Sequence, residues 1–236
     1  MIEAGIQRVV IALEDPDPRV GGAGITRLKD AGIEVICGVL RDEAAAQNCA
    51  FLHRVSTGRP LGLLKWAMSL DGRTALPNGA SQWISGSEAR RFVHQLRARC
   101  DAVIVGGGTV RSDNPLLTSR GRRSPEPLRV VLSRSLDLPD QAQLWDTSVA
   151  PTLIAHGPDL VDAVVPSGPE RLVLRRSDPL QLMEALAKRG CNRVLWECGP
   201  ELSTQAIQQG CVQQIAAVVA PKLMGGLAAK TPLGDL

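Results

Sequence analysis

Asp101-Ala102-Val103-Ile104-Val105-Gly106-Gly107-Gly108-Thr109-Val110 contains an apolar run, Ala102 to Val105, that stops at three glycines. A short continuous apolar run reads as a strand buried on both faces. Glycines at its carboxyl end let backbone N–H groups approach a phosphate closely. The same arrangement recurs at Arg193-Val194-Leu195-Trp196-Glu197-Cys198-Gly199-Pro200-Glu201. Pro200 suits the first turn of a helix and Gly210 its end. A helix starting there offers free N–H donors and partial positive charge. Neither turn is specific alone. No Gly-Lys-Ser/Thr follows the first, and Arg111 stands in place of the last Gly of G-x-G-x-x-G. One such turn is explained by ordinary chain reversal. Two, each at a strand's carboxyl end where open α/β sheets place their clefts, favour a dinucleotide or another phosphate ligand.

Outward from these turns, strands and helices alternate. Strands are expected at 61–68, 101–105, 128–132, 152–155, 171–174, 193–198 and 214–219, and helices at 87–99, 179–189 and 201–209. That order indicates a mainly parallel α/β sheet with flanking helices. Before it, strands at 7–13 and 33–37 and helices at 25–31 and 42–55 form a βαβα fragment too small to cover its own sheet. Thr57-Gly58-Arg59-Pro60 reads as the linker. Residues 1–59 and 60–236 are therefore treated as separate segments, the first as an appendage.

The strand Leu63-Leu64-Lys65-Trp66-Ala67-Met68-Ser69 puts Leu63, Lys65, Ala67 and Ser69 on one face. A lysine inside a two-sided sheet is costly unless its head reaches water, a carboxylate or a ligand. An edge strand would let it snorkel to solvent. Asp71, in the following turn, can bond its own backbone two residues on. Ser85-Gly86-Ser87-Glu88 has capping-box spacing before a helix on which Arg90, His94 and Arg97 form a basic stripe. The stripe is either a solvated face or an anion site joined by Arg120, Arg122 and Arg123 from a Ser- and Pro-rich loop.

Composition excludes several classes. Hydrophobic residues make up 44% and charged residues 22%, as in an ordinary globular protein. Aromatics are 3% with no Tyr, so stacking platforms for single-stranded nucleic acid are nearly lacking. A net charge of +3 suits a small anionic ligand in a local basic cluster better than nucleic acid. The six cysteines form no C-x-x-C pair and read as reduced, mostly buried thiols, with no metal site. No G-x-S-x-G, H-E-x-x-H or zinc-deaminase H-x-E…P-C-x-x-C pattern is present. With no leader and no apolar run able to span a bilayer, the expectation is a cytoplasmic protein without membrane contact.

Leu64-Lys65-Trp66-Ala67-Met68-Ser69-Leu70-Asp71-Gly72-Arg73 resembles the opening of the riboflavin-biosynthesis pyrimidine reductases. Ser81-Gln82-Trp83-Ile84-Ser85, Arg97-Ala98, Val105 to Val110, Asp113 to Thr118, Trp196 to Pro200 and Ala220-Pro221-Lys222 continue the likeness in order. Ile6 to Arg59 resembles the tail of the cytidine-deaminase-like domain that precedes the reductase in bifunctional members, without its zinc-binding front. By the same likeness the reductase segment ends short of the family's closing strands. The resemblance implies a dihydrofolate-reductase-like fold, NADPH as cofactor, a homodimer, and reduction of the ribosyl group of 5-amino-6-(5-phosphoribosylamino)uracil to ribityl.

The family's positions carry over residue by residue. Lys65 and Glu197 fall at catalytic positions. Ala67, Trp83, Thr109, Asp113, Gly199, Pro200, Glu201 and Leu202 fall at cofactor positions, and the glycine turn adds Gly107 and Gly108 as cofactor-binding candidates. Ser81, Arg97, Leu117, Arg120 and Glu197 fall at substrate positions, where Arg97 and Arg120 would suit the phosphate. Ser133-Arg134 departs from the usual Asp-Ser after the apolar run. A non-catalytic remnant that binds nucleotide or a partner without turnover is the competing reading.

Overall fold

The computed structural model describes residues 1–76, 84–226 and 228–235. The chain divides into two compact units, Met1–Arg59 and Pro60–Leu236.

The first unit runs β1 (Arg8–Ile11), α1 (Ala23–Asp30), β2 (Glu34–Cys37), α2 (Arg41–Gln47) and α3 (Cys49–Thr57). β1 and β2 pair in parallel, Arg8 opposite Glu34. Their side chains form an exposed ion pair at 2.6 Å. The helix expected over 42–55 is broken at Asn48, whose Nδ2 donates to the Ala44 carbonyl at 2.8 Å. A side chain that bonds nearby backbone offers the chain an alternative to continuous helix.

The second unit contains β3 (Leu61–Ser69), α4 (Ser87–Ala98), β4 (Ala102–Gly106), α5 (Gly107–Asp113), β5 (Leu128–Leu132), β6 (Thr152–His156), β7 (Glu170–Val173), α6 (Pro179–Lys188), β8 (Arg193–Trp196), α7 (Pro200–Gln208) and β9 (Gln214–Ala220). The strands form one sheet in the order β7-β6-β5-β4-β8-β3-β9. All its neighbours pair in parallel. Period-two alternation divides the sheet's side chains between two cores. Leu64, Ile104, Val130, Leu153 and Trp196 pack with Leu182, Met183 and Leu186 of α6 and Ala206 of α7. Leu63, Val103, Val131, Ile154 and Leu195 pack with Leu96 of α4 and Val110 of α5 on the other face.

Topology places the cleft. After β4 the chain moves through α5 to β5 on one side; after β8 it moves through α7 to β9 on the other. α5 and α7 contribute to opposite cores, so the sheet's carboxyl edge opens between them. Such a switch point is where open α/β sheets bind ligands.

The glycine turn after Val105 is the start of α5. One local reading changes. α4 starts from Gly86 in extended conformation with no side-chain cap, so the capping-box spacing is not used. Instead Arg90 donates to the Ser85 carbonyl at 2.9 Å. Gly62 has a packing reason: a Cβ there would lie 1.9 Å from the Cys211 carbonyl oxygen. That carbonyl accepts the Trp196 indole N–H at 3.1 Å.

Candidate active site

Lys65 lies in β3, between β8 and β9, so it is no edge-strand lysine. It shares the α4-side face with Leu63, and Glu197, just past β8, shares that face with Leu195. The Lys65 Nζ stands 3.6 Å from Glu197 Oε2. From α4, Arg97 forks onto the same carboxylate: Nε donates to Oε1 at 2.6 Å and Nη2 to Oε2 at 3.0 Å. Its Nη1 donates to the Thr118 carbonyl at 3.1 Å. The side chains of Lys65, Arg97 and Glu197 are only 18%, 14% and 9% exposed.

Burial pushes the Glu197 carboxyl up, but Arg97 and then Lys65 outweigh it and hold the group at about 2. Glu197 is therefore a fixed carboxylate and cannot be the acid of a reaction near neutral pH. Arg97, placed at the substrate phosphate by resemblance, has its fork filled by Glu197 in this structure. Burial pushes the neighbouring Cys198 thiol up to about 12, which keeps it protonated and unreactive.

The basic stripe is more than a solvated face. Burial depresses His94's proton affinity first, followed by the nearby charges of Arg97, Arg120 and Arg122. Arg120 is exposed, with a left-handed φ of 57°. Leu117, also left-handed at φ 56°, is 2% exposed and belongs to the α4-side core.

A cleft of about 420 Å³ opens at the carboxyl ends of β4, β5 and β8. Gly107, Gly108, Thr109, Gly199, Pro200, Glu201 and Leu202 all line it, so the two glycine turns share one cleft. Ala67 and Asp113 are not among its lining residues. Ser81 and Trp83 lie outside the described residues. Ser133 and Arg134 also line the cleft, with Arg111, Ser177 and Lys230. Ser177 and Lys230 carry no local motif. Lys230 arrives through an antiparallel bridge between Ala75 and Lys230.

Three cations and several hydroxyls face this space, and Glu201 is the acid among the lining residues. Its size lies within the roughly 300–1,000 Å³ of small-molecule sites. The donor set and the two helix starts fit an elongated anion such as a dinucleotide. Asp71 does not bond its own turn alone. It accepts from Ser69 Oγ at 2.6 Å, Met224 N at 3.1 Å and Gly225 N at 2.7 Å. These bonds, the serine hydroxyl foremost, lower its carboxyl pKa. They tie the turn after β3 to the segment after β9.

Among the described residues, no three His, Cys, Asp or Glu side chains converge as metal ligands. None of the described helices is long and apolar enough to cross a membrane. Among the described residues no two cysteines form a disulfide; Cys100, Cys191 and Cys211 are buried, whereas Cys37 is exposed.

Comparison with known proteins agrees with this geometry. The chain is 50% identical over 240 residues to the riboflavin biosynthesis protein RibD of Synechocystis, covering all of the chain and 65% of that protein. It thus spans about two thirds of that relative's length. The RibD structure of Acinetobacter baumannii superposes with a TM-score of 0.86 at 37% identity, covering all of this chain and 67% of that one. A Thermotoga maritima structure, described as a diaminohydroxyphosphoribosylaminopyrimidine deaminase/5-amino-6-(5-phosphoribosylamino)uracil reductase, gives 0.88 at 30% identity, with 100% and 66% covered. Residues 60–236 match the RibD C-terminal domain, with the parallel sheet and the cleft described above, and the chain belongs to that family.

Proposed function

We propose that the chain is an NADPH-dependent reductase of riboflavin biosynthesis, converting the ribosyl group of 5-amino-6-(5-phosphoribosylamino)uracil to ribityl. The observation that carries this reading is the Lys65–Glu197 pair, 3.6 Å apart, with Glu197 two residues before Gly199 of the switch-point cleft. A remnant without function would have no need of two cations on a buried carboxylate, an arrangement that is costly to maintain.

A bound nicotinamide supplies the hydride that the sugar C1′ receives. The remaining chemistry belongs to the chain. The C1′–O bond breaks as the ring oxygen gains a proton and the nitrogen gives one up, leaving an imine at C1′; the nitrogen regains a proton as C1′ is reduced, so hydride and one proton are taken up overall. Lys65 is the proton donor closest to hand, since Glu197 stays ionised. Glu197 orients Lys65 and accepts hydrogen bonds from the sugar hydroxyls or the pyrimidine. Arg97 is a positioning residue that holds Glu197, which leaves the substrate phosphate to Arg120 and its exposed loop neighbours. The first turns of α5 and α7 hold the cofactor's pyrophosphate.

The protein is further taken to be a cytoplasmic homodimer, with residues 1–59 as the tail of a deaminase-like domain. NADPH oxidation in the presence of the pyrimidine phosphate, with the ribityl product identified by mass, tests the activity. Nucleotide binding without any turnover would replace this reading with that of a non-catalytic fragment.

A further inference from the structure

The cleft has two unlike ends. One is lined by Gly199 to Leu202 after β8, two residues past Glu197; Glu197 and Lys65 are not themselves among its lining residues. The other lies past β4, at the carboxyl end of β5. Neighbouring strands are about 4.8 Å apart, so β5 stands roughly 14 Å from β3 across β8 and β4. A dinucleotide with its reacting head at Lys65 and its pyrophosphate on the glycine turns therefore carries its adenosine ribose to Ser133 and Arg134. At such a strand end a carboxylate selects a ribose 2′-hydroxyl, whereas an arginine accommodates a 2′-phosphate. Here the strand end is Ser-Arg.

Arg134 is not idle. Its Nη2 is paired with Glu201 Oε1, from the first turn of α7, across the cleft. The two side chains are 60% and 71% exposed, so water screens the pair and it holds weakly. The turn beneath is firm by contrast: Leu136 N donates to Ser133 Oγ at 3.0 Å, and Ser177 Oγ donates to the Ser133 carbonyl at 2.9 Å. An exposed cation on a pinned turn, with a weakly held internal anion as its partner, is suited to exchanging that partner for a stronger one.

We propose that Arg134 is the residue that selects a 2′-phosphorylated cofactor, and that Glu201 holds it in reserve until the phosphate displaces the carboxylate. The proposal rests on the reading of the cleft as a nicotinamide dinucleotide site. A 2′-hydroxyl carries no charge with which to break the pair. A phosphate dianion does, and it accepts the guanidinium fork in Glu201's place.

Isothermal titration of the full chain with 2′,5′-ADP and 5′-ADP tests this without turnover. A charge-assisted contact of ordinary strength corresponds to a preference of about 10–100-fold for 2′,5′-ADP. Arg134→Ala is expected to bring the two nucleotides near parity, and Arg134→Lys to keep part of the preference. Glu201→Gln is expected to raise the preference for 2′,5′-ADP over 5′-ADP severalfold, because the competitor for Arg134 is gone; a merely structural pair would give a smaller preference. A preference that survives Arg134→Ala, equal binding of both nucleotides by the parent, or a smaller preference in Glu201→Gln overturns the exchange while leaving the dinucleotide site standing. Absence of binding by either nucleotide overturns the dinucleotide reading and the exchange with it.

Discussion

Two arginine–glutamate pairs flank the carboxyl edge of the same sheet, and they differ chiefly in their access to water. Arg97 and Glu197 are 14% and 9% exposed, joined by two hydrogen bonds and flanked by Lys65. Arg134 and Glu201 are 60% and 71% exposed. In the buried pair each charge has lost most of its hydration, so removing one leaves the other short of partners that water does not replace. In the exposed pair water stands ready to replace either partner. The chemistry of the side chains is the same; burial fixes one pair beside Lys65 and exposure leaves the other open to water.

The sharpest break of this comparison is Lys65→Met. If the buried cluster exists to hold a proton donor, turnover should fall by about 10²–10⁴-fold while NADPH binding is retained. Normal turnover in that variant would make Lys65 an ordinary strand lysine.

Next in size is Arg97→Leu, which takes two hydrogen bonds from the Glu197 carboxylate and leaves it to Lys65 alone. We expect a loss of about 3 kcal/mol or more in urea unfolding, the range for breaking one side of a buried pair. Arg97→Lys, which keeps the charge but loses the fork, should recover part of it. A loss equal to that of an exposed substitution would remove the distinction drawn between the two pairs.

A smaller effect is expected from pH. The Glu197 carboxyl sits at about 2 in the folded chain, below its ordinary 4.5. A lowered folded value contributes stability that is fully present above 4.5 and is lost as pH falls toward about 2. The stability gap between the parent and Glu197→Gln should therefore narrow across that window. A constant gap from neutral pH down to pH 2 would contradict the depressed value.

The smallest effect belongs to the exposed pair. Arg134→Ala should change unfolding stability by under about 0.5 kcal/mol, as surface substitutions do. A large loss there would mean that the pair is structural and not available for exchange.

Much of the site was legible along the chain because its signals are local. Period two places Lys65 and Glu197 on definite faces of their strands. Glycine and proline punctuate strand ends, so Gly107, Gly108, Gly199 and Pro200 mark one cleft before any strand order is known. The same locality explains the misses. Ser85 to Glu88 satisfies a capping spacing, yet the first turn of α4 forms without it. Asp71 has the residue type for a self-contained turn, yet it bonds the backbone of Met224 and Gly225, 153 and 154 residues away.

Alternation of apolar runs, and the punctuation between them, was enough to establish the α/β class, the parallel strands and the faces of the key side chains, because each is a preference of a few neighbouring residues. Strand order was not. Only the assembled sheet inserts β8 between β4 and β3, bringing Glu197 to Lys65 and to Arg97, which is 100 residues away. Likewise, only α7 starting across the cleft from β5 brings Glu201 to Arg134. Such meetings have no local signature. Their loop-closure entropy is offset by burial of the whole sheet between its two layers of helices, and that burial decides which residues meet.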